Sequence, residues 1–249
     1  MSCHRCLLYT RILVYLGTLV LHAYNIVALL NSFQGEPMKV EGVKNFSRMQ
    51  MYFFTCWTFV FQMLYASFAI FCDWMVLVNT SEKTSAFIGN ATKFRNILFG
   101  ALVWPSSLLV STYFWGFYAY DRNLFYPEYI DAVITPLSNH IMHTLIIPIV
   151  VLELVLNPKR KPESHIFNLC CITGLQVVYI STLLYAHKTT GIWVYPIFGK
   201  LYGTLCLPTF LGFTLIYSMV LYYGQFCISS VIIKYWQKIG ERYCRKCVN

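Results

Sequence analysis

The chain has 249 residues, 57% of them hydrophobic and 12% charged, with a formal net charge of +9. A water-soluble domain carries about 25% charged residues, so this composition excludes one and places the chain in a membrane. The lysines and arginines lie in short segments between apolar runs, which is how topology signals are distributed and excludes a nucleic-acid partner.

The apolar runs predict an all-α polytopic membrane protein, a single bundle of about six transmembrane helices over residues 1–249. The first span covers about residues 7–30. It is too long for a signal-peptide core and lacks a small-x-small cleavage pattern. A polar loop, Asn31 to Gln50, leads to the second span, about 51–77. After a Ser/Thr/Lys-containing loop the third span covers about 96–120, with a kink expected at Pro105. Asp121 and Arg122 end it. The fourth span, about 136–156, closes on Asn157-Pro158-Lys159-Arg160-Lys161. The fifth, about 165–187, is followed by the aromatic interfacial stretch Gly191-Ile192-Trp193-Val194-Tyr195-Pro196. The sixth begins near Leu201 and extends toward Trp236, long for one crossing, with a bend expected at Pro208. A basic tail, residues 234–249, suits anionic headgroups.

Six crossings put both termini on one side. That side collects thirteen lysines and arginines against six on the other, so both termini are expected in the cytoplasm, in the endoplasmic reticulum or plasma membrane. Asn-x-Ser/Thr sequons stand at Asn45, Asn79 and Asn90; with this orientation only Asn45 faces the glycosylating side. Two CxxC pairs, Cys3/Cys6 and Cys244/Cys247, fall together in the cytoplasm. They are candidate palmitoylation sites beside basic residues, with a four-cysteine zinc clip between the termini as the alternative. The remaining cysteines fit as small packing residues.

Chemistry concentrates in the fourth span, whose first half carries Asn139, His140, His143 and Thr144. Polar side chains inside a membrane usually face a bundle interior or a wet cavity. His140 and His143, spaced i, i+3, and Asn139 and His143, spaced i, i+4, share a helix side. Thr55 on the second span starts from the same membrane face at a depth of roughly 7 Å, and His143 at roughly 10 Å, at 1.5 Å per residue. Asp121, Arg122 and His187 also fall at this end, and Glu153 near the other. A hydroxyl beside an imidazole is the minimum for nucleophilic acyl transfer. The bland alternative is that Thr55 bonds the carbonyl one turn back, as threonines in membrane helices do. His140, His143 and His187 as haem or metal ligands, and a transporter or non-catalytic regulator, are the other classes that the residues leave open.

Four stretches resemble a known family. They are Phe54-Thr55 with Gln62; Tyr118-Ala119-Tyr120-Asp121-Arg122 through Tyr126-Pro127; Asn139-His140-Ile141-Met142-His143-Thr144 with Pro148; and Gly191 to Pro196. In order and spacing, over roughly residues 11–225, they are similar to the androgen-induced and androgen-dependent TFPI-regulating proteins, FAR-17a-like multi-pass hydrolases of fatty acid esters of hydroxy fatty acids. The resemblance implies a catalytic threonine at Thr55 and a catalytic histidine at His143. Asn139, His140, Asp121, Arg122, Trp193 and Tyr195 form the candidate supporting or substrate-binding set, with Asn139 or His140 as oxyanion donor. The expected substrate is a lipid ester reaching the site from the bilayer, and no metal or cofactor is expected. The chain departs from the family pattern at Thr58, Arg95-Asn96 and Gly224-Gln225, at each of which a carboxylate is lost or absent; if one of those acids orients the family's histidine, Asp121 or Asp131 is the expected substitute here.

Overall fold

The computed structural model describes residues 3–78 and 82–248, with side chains described for residues 5–78 and 86–239. Among these residues there are helices and no strands. Six stretches are long and apolar enough to cross a membrane: Arg5–Ser32, Phe54–Val78, Ala86–Leu124, Pro136–Leu156, Ile166–Thr190 and Cys206–Ile239. The chain is thus an all-α, multi-pass membrane protein. Leu13, Val20, Leu64, Val177 and Ile216 are exposed, as side chains facing lipid must be when there is no aqueous penalty to bury them against.

Helix α1 (Cys3–Ser32) packs along α3 (Phe54–Val78). Between them the expected polar loop is in part helical, with α2 at Glu41–Arg48 flanked by 3-10 turns at Glu36–Lys39 and Gln50–Tyr52. Val43, Phe46 and Met49, at i, i+3, i+6, are buried, so this amphipathic turn lies over one end of the bundle as a cover. Gly42 meets the ring of Tyr129, and a Cβ there would come within 3.0 Å of it.

The third crossing starts earlier than its hydropathy suggests. Helix α4 (Glu82–Ile97) runs into a π-helical segment, Leu98–Val103, and then α5 (Trp104–Asp121). Pro105 has no N–H for the carbonyl four residues back, and its ring clashes there. The helix takes up the misfit as a π segment where a simple kink was expected. Gln225 Nε2 donates to the Gly100 carbonyl at 3.3 Å, and the missing Cβ of Gly100 leaves room for that amide.

The fourth crossing is likewise two helices, α6 (Pro136–His143) and α7 (Ile146–Leu156). Pro148 cannot donate to Thr144, and the ladder breaks at Thr144–Leu145; the Leu145 amide reaches back to the His140 carbonyl at 2.9 Å. His143 therefore ends a helix, where a continuous span was expected. Helix α8 is Ile166–Thr190, ended by Gly191 at φ 71°. A short α9 (Pro196–Leu201) precedes α10 (Cys206–Val248). Pro208 falls in the first turn of α10, where a missing N–H breaks no helical bond, so the expected bend is replaced by a helix start.

Away from the covered end, four buried charged side chains, Asp73, Arg95, Glu153 and Lys159, gather with the partly buried Arg11. Asp73 Oδ1 accepts from Arg11 Nη2 at 2.6 Å and Arg95 Nη1 at 2.8 Å. Glu153 accepts from Lys159 Nζ at 2.6 Å, Arg95 Nη2 at 3.2 Å and Asn157 Nδ2 at 2.8 Å, and from the hydroxyls of Tyr15 and Tyr65. Arg95 also donates to Tyr15. The network ties α1, α3, α4, α7 and the loop after α7. The side chains of Cys3, Cys244 and Cys247 and the sequon residue Asn79 lie outside the described residues, so the expectations placed on them go no further; Cys6 is exposed.

Candidate active site

Thr55 is the second residue of α3, and this position decides what its hydroxyl can do. Thr18, Thr58, Thr112, Thr182 and Thr214 each donate to the carbonyl four residues back, at 2.8–3.0 Å. For Thr55 the residue four back is Met51, ahead of the helix in a 3-10 turn. The Met51 carbonyl is moreover taken by the indole N–H of Trp57 at 2.8 Å. Thr55 does not make the bond to its own helix that these threonines make, and its Oγ1 lies 3.4 Å from His143 Nε2.

The histidine is held on three sides. Its Nδ1 lies 2.7 Å from Asn139 Oδ1 and 3.1 Å from the Asn139 carbonyl. Both partners are acceptors, so Nδ1 carries the proton and Nε2 presents a lone pair to Thr55. Phe114 stacks on the imidazole face, centroids 3.5 Å apart and planes 5° from parallel. The ring is buried. The helix break after His143 gives its ring access to Thr55, while Asn139 stands one turn earlier on the same short helix.

The start of α3 is pinned by two tyrosines. The Phe54 amide donates to the hydroxyls of Tyr179 at 3.0 Å and Tyr195 at 3.1 Å. Tyr179 in turn donates to the Tyr52 carbonyl at 3.1 Å. Tyr195 lies on the connection after α8, and burial pushes its phenol up to about 12, so it stays protonated at neutral pH.

These groups open onto one cavity of about 990 Å³ of empty space, part of it open to the exterior. Phe46, Phe53, Phe125, Leu183, Phe198 and Phe210 are among its apolar walls, with α2 closing one end. Among the described residues no Asp, Glu, Lys or Arg lines it. It is the environment of long alkyl chains and uncharged functional groups.

The expected residues separate into those at the cavity and those away from it. Thr55, His143 and Tyr195 line it, and Asn139 touches His143. Asn139 is turned to the imidazole and does not line the cavity. His140 is exposed, bonded through Nδ1 to Thr144 Oγ1 at 3.1 Å and stacked with Trp115, so although it shares α6 with the buried His143 it does not reach the cavity. Asp121 accepts from the Asn123 amide at 3.1 Å, and Asp131 pairs with Arg122 at 2.7 Å. Neither orients His143, which corrects the expectation that one of them replaces a missing acid. Arg122 also lies over the Tyr118 and Tyr126 rings. Trp193 stacks on His187, centroids 3.9 Å apart, and neither lines the cavity. Tyr179 escaped sequence reasoning, since one tyrosine in an apolar span carries no signal; the Asn139–His143 spacing was the signal that did point here.

Comparison with known proteins gives a consistent result. A family model described as FAR-17a/AIG1-like protein matches residues 10–229. The human androgen-dependent TFPI-regulating protein is 38% identical over 131 residues, covering 53% of this chain and 56% of that protein. Its Rattus norvegicus counterpart is 37% identical over 131 residues with the same coverage, 53% and 56%. The human androgen-induced gene 1 protein is 31% identical over 163 residues, 62% of this chain and 68% of that protein. The chain spans about half the length of the androgen-dependent relatives it matches. No solved structure matches.

Proposed function

As the chain belongs to the FAR-17a/AIG1-like family, we propose that it is a membrane-embedded carboxylic ester hydrolase, cleaving fatty acid esters of hydroxy fatty acids with Thr55 as nucleophile and His143 as base. The observation that carries this is the Thr55 hydroxyl, freed from its own helix and 3.4 Å from the unprotonated nitrogen of a fixed imidazole, on the wall of an uncharged cavity. The separation is long for a hydrogen bond, as such contacts often are before substrate tightens them.

In this mechanism a lipid ester comes from the bilayer and lays its carbonyl over Thr55. Thr55 Oγ bonds to the carbonyl carbon while its proton passes to His143 Nε2. The tetrahedral intermediate collapses, the bond to the alkoxy oxygen breaks, and the imidazolium returns the proton to that oxygen, releasing the hydroxy fatty acid. Water then attacks the acyl-threonine with His143 again as base, releasing the fatty acid and restoring the hydroxyl. Asn139 holds the productive tautomer, the role that the third member of a Ser–His–Asp triad plays, here with an amide that stays neutral throughout. Tyr195, protonated and on the cavity wall, serves as a donor to the oxyanion. The absence of charge in the cavity suits the ester and the two alkyl arms of the substrate, whose free carboxylate meets no cation there and stays at the open side.

A fluorophosphonate should label the protein, because an activated hydroxyl attacks phosphorus as it attacks a carbonyl. Peptide mapping is expected to place the label on Thr55, and prior incubation with the lipid ester to slow it. Label on any other residue would overturn the nucleophile assignment.

A further inference from the structure

We propose that the cavity contains a second polar site, formed by Gln176, Ser218, Tyr113 and Thr214, which takes a hydroxyl group carried on the lipid chain itself. It rests on the cavity being a lipid site, as the proposed function requires, but its own evidence is separate from Thr55 and His143.

The four residues come from α5, α8 and α10 and converge where an all-carbon chain would ask for none of them. Gln176, Thr214 and Ser218 are 7%, 8% and 2% exposed; Gln176, Tyr113 and Thr214 line the cavity. Gln176 is three residues before Tyr179 on α8, so it stands ~4.5 Å further along the helix than the tyrosine that pins the start of α3. Tyr113 precedes Phe114, the ring stacked on His143. A ligand whose ester is at Thr55 would run past this group.

The hydrogen bonds define what the site lacks. Thr214 Oγ1 donates to the Phe210 carbonyl at 2.8 Å, and Ser218 Oγ donates to the Thr214 carbonyl at 2.9 Å. Both hydroxyls have given their protons to their own helix. Tyr113 Oη therefore donates to Thr214 Oγ1 at 2.9 Å, and Gln176 Nε2 to Ser218 Oγ at 3.1 Å. What remains are two acceptors, the Tyr113 oxygen and the Gln176 carbonyl Oε1, to which nothing among the described residues donates, and one spare amide N–H. Gln176 lines the cavity, so this unused hydrogen-bonding capacity faces the bound ligand, and an alkyl chain lying against it would leave it unmet. The missing partner gives a proton and accepts one. It is also neutral, since no cation lines the cavity to balance a carboxylate. A hydroxyl meets all three conditions; a ketone is neutral and accepts the spare N–H but gives no proton, and an alkane is only neutral.

Binding of non-hydrolysable ether analogues to the purified full-length protein tests this without needing turnover. Methyl octadecyl ether is compared with isomers hydroxylated at successive mid-chain carbons and with the matching ketones. At least one hydroxylated isomer is expected to bind about three- to tenfold more tightly than the plain ether, the range that one net hydrogen bond supplies, with its ketone between them. In Gln176→Met that ratio should fall to one, and in Tyr113→Phe, which keeps the ring, it should shrink. If no isomer is preferred, or the preference survives Gln176→Met, the site is wrong. Thr55-dependent hydrolysis with no such preference would sink this site alone. A preference without hydrolysis would uphold it and sink the esterase.

Discussion

Thr55→Ala and His143→Ala are each expected to abolish ester hydrolysis while the protein still accumulates in membranes. A positioned general base contributes about 10²–10⁴-fold, and removing the nucleophile removes the covalent route altogether. Thr55 makes no hydrogen bond to its own helix, so its loss leaves no backbone partner behind. His143→Ala opens space beside Phe114 and costs some stability, which a parallel thermal-unfolding measurement would separate from activity. Because hydroxyl and imidazole act as one unit, the double substitution should cost little more than either alone. Additive losses, or undiminished turnover in Thr55→Ala, would show that the two residues do not share a step.

Glu153→Ala should be the most damaging single change to the fold. Its carboxylate accepts from Arg95, Lys159, Asn157, Tyr15 and Tyr65, and the Arg95, Lys159 and Glu153 side chains are each about 3% exposed. Replacing a whole buried ion cluster with apolar residues is often tolerated, but removing one partner strands the others: about 3–5 kcal/mol for an uncompensated buried charge. That is a large share of the total stability of a typical domain. The expected result is poor accumulation and a clearly lowered unfolding temperature in detergent, with Glu153→Gln, which keeps the shape and some hydrogen bonds, in between. Wild-type stability in Glu153→Ala would mean that the carboxylate does not neutralise the two cations.

The crossings were legible in the sequence because hydropathy over some twenty residues is a cumulative signal that no single residue spoils. Their interruptions were less so. Pro105 and Pro148 were visible, but whether a proline kinks a helix, splits it or inserts a π segment depends on which neighbour captures the freed carbonyls. At Gly100 that neighbour is Gln225, 125 residues away. The cover formed by α2 was hidden because its apolar residues, Val43, Phe46 and Met49, are spaced among Lys, Asn and Arg typical of a loop.

The Thr55–His143 pairing followed from matched depth and family motifs, and the structure brings the two side chains within 3.4 Å. The i, i+4 spacing placed Asn139 beside His143, but it left open whether Asn139 or an aspartate elsewhere meets the far side of the imidazole, which is Asn139. That choice turns on a rotamer and on a helix ending at His143. Arg11, Arg95 and Lys159 illustrate the converse. Counted as topology-setting charges, they are consumed in a buried network with Asp73 and Glu153, because the acids that neutralise them are distant in sequence and isolated in apolar runs.

The most direct measurement is to catch the acyl-enzyme. The full-length protein is mixed with a fatty acid ester of a hydroxy fatty acid, quenched in acid on the time scale of a turnover, and mapped by peptide mass. The mechanism predicts the mass of the fatty acyl group on the peptide carrying Thr55, fragmenting to Thr55 itself, and absent from Thr55→Ala. Acylation of Cys56, the thiol that lines the cavity beside it, or hydrolysis that proceeds with no acylated protein at any time, would contradict it.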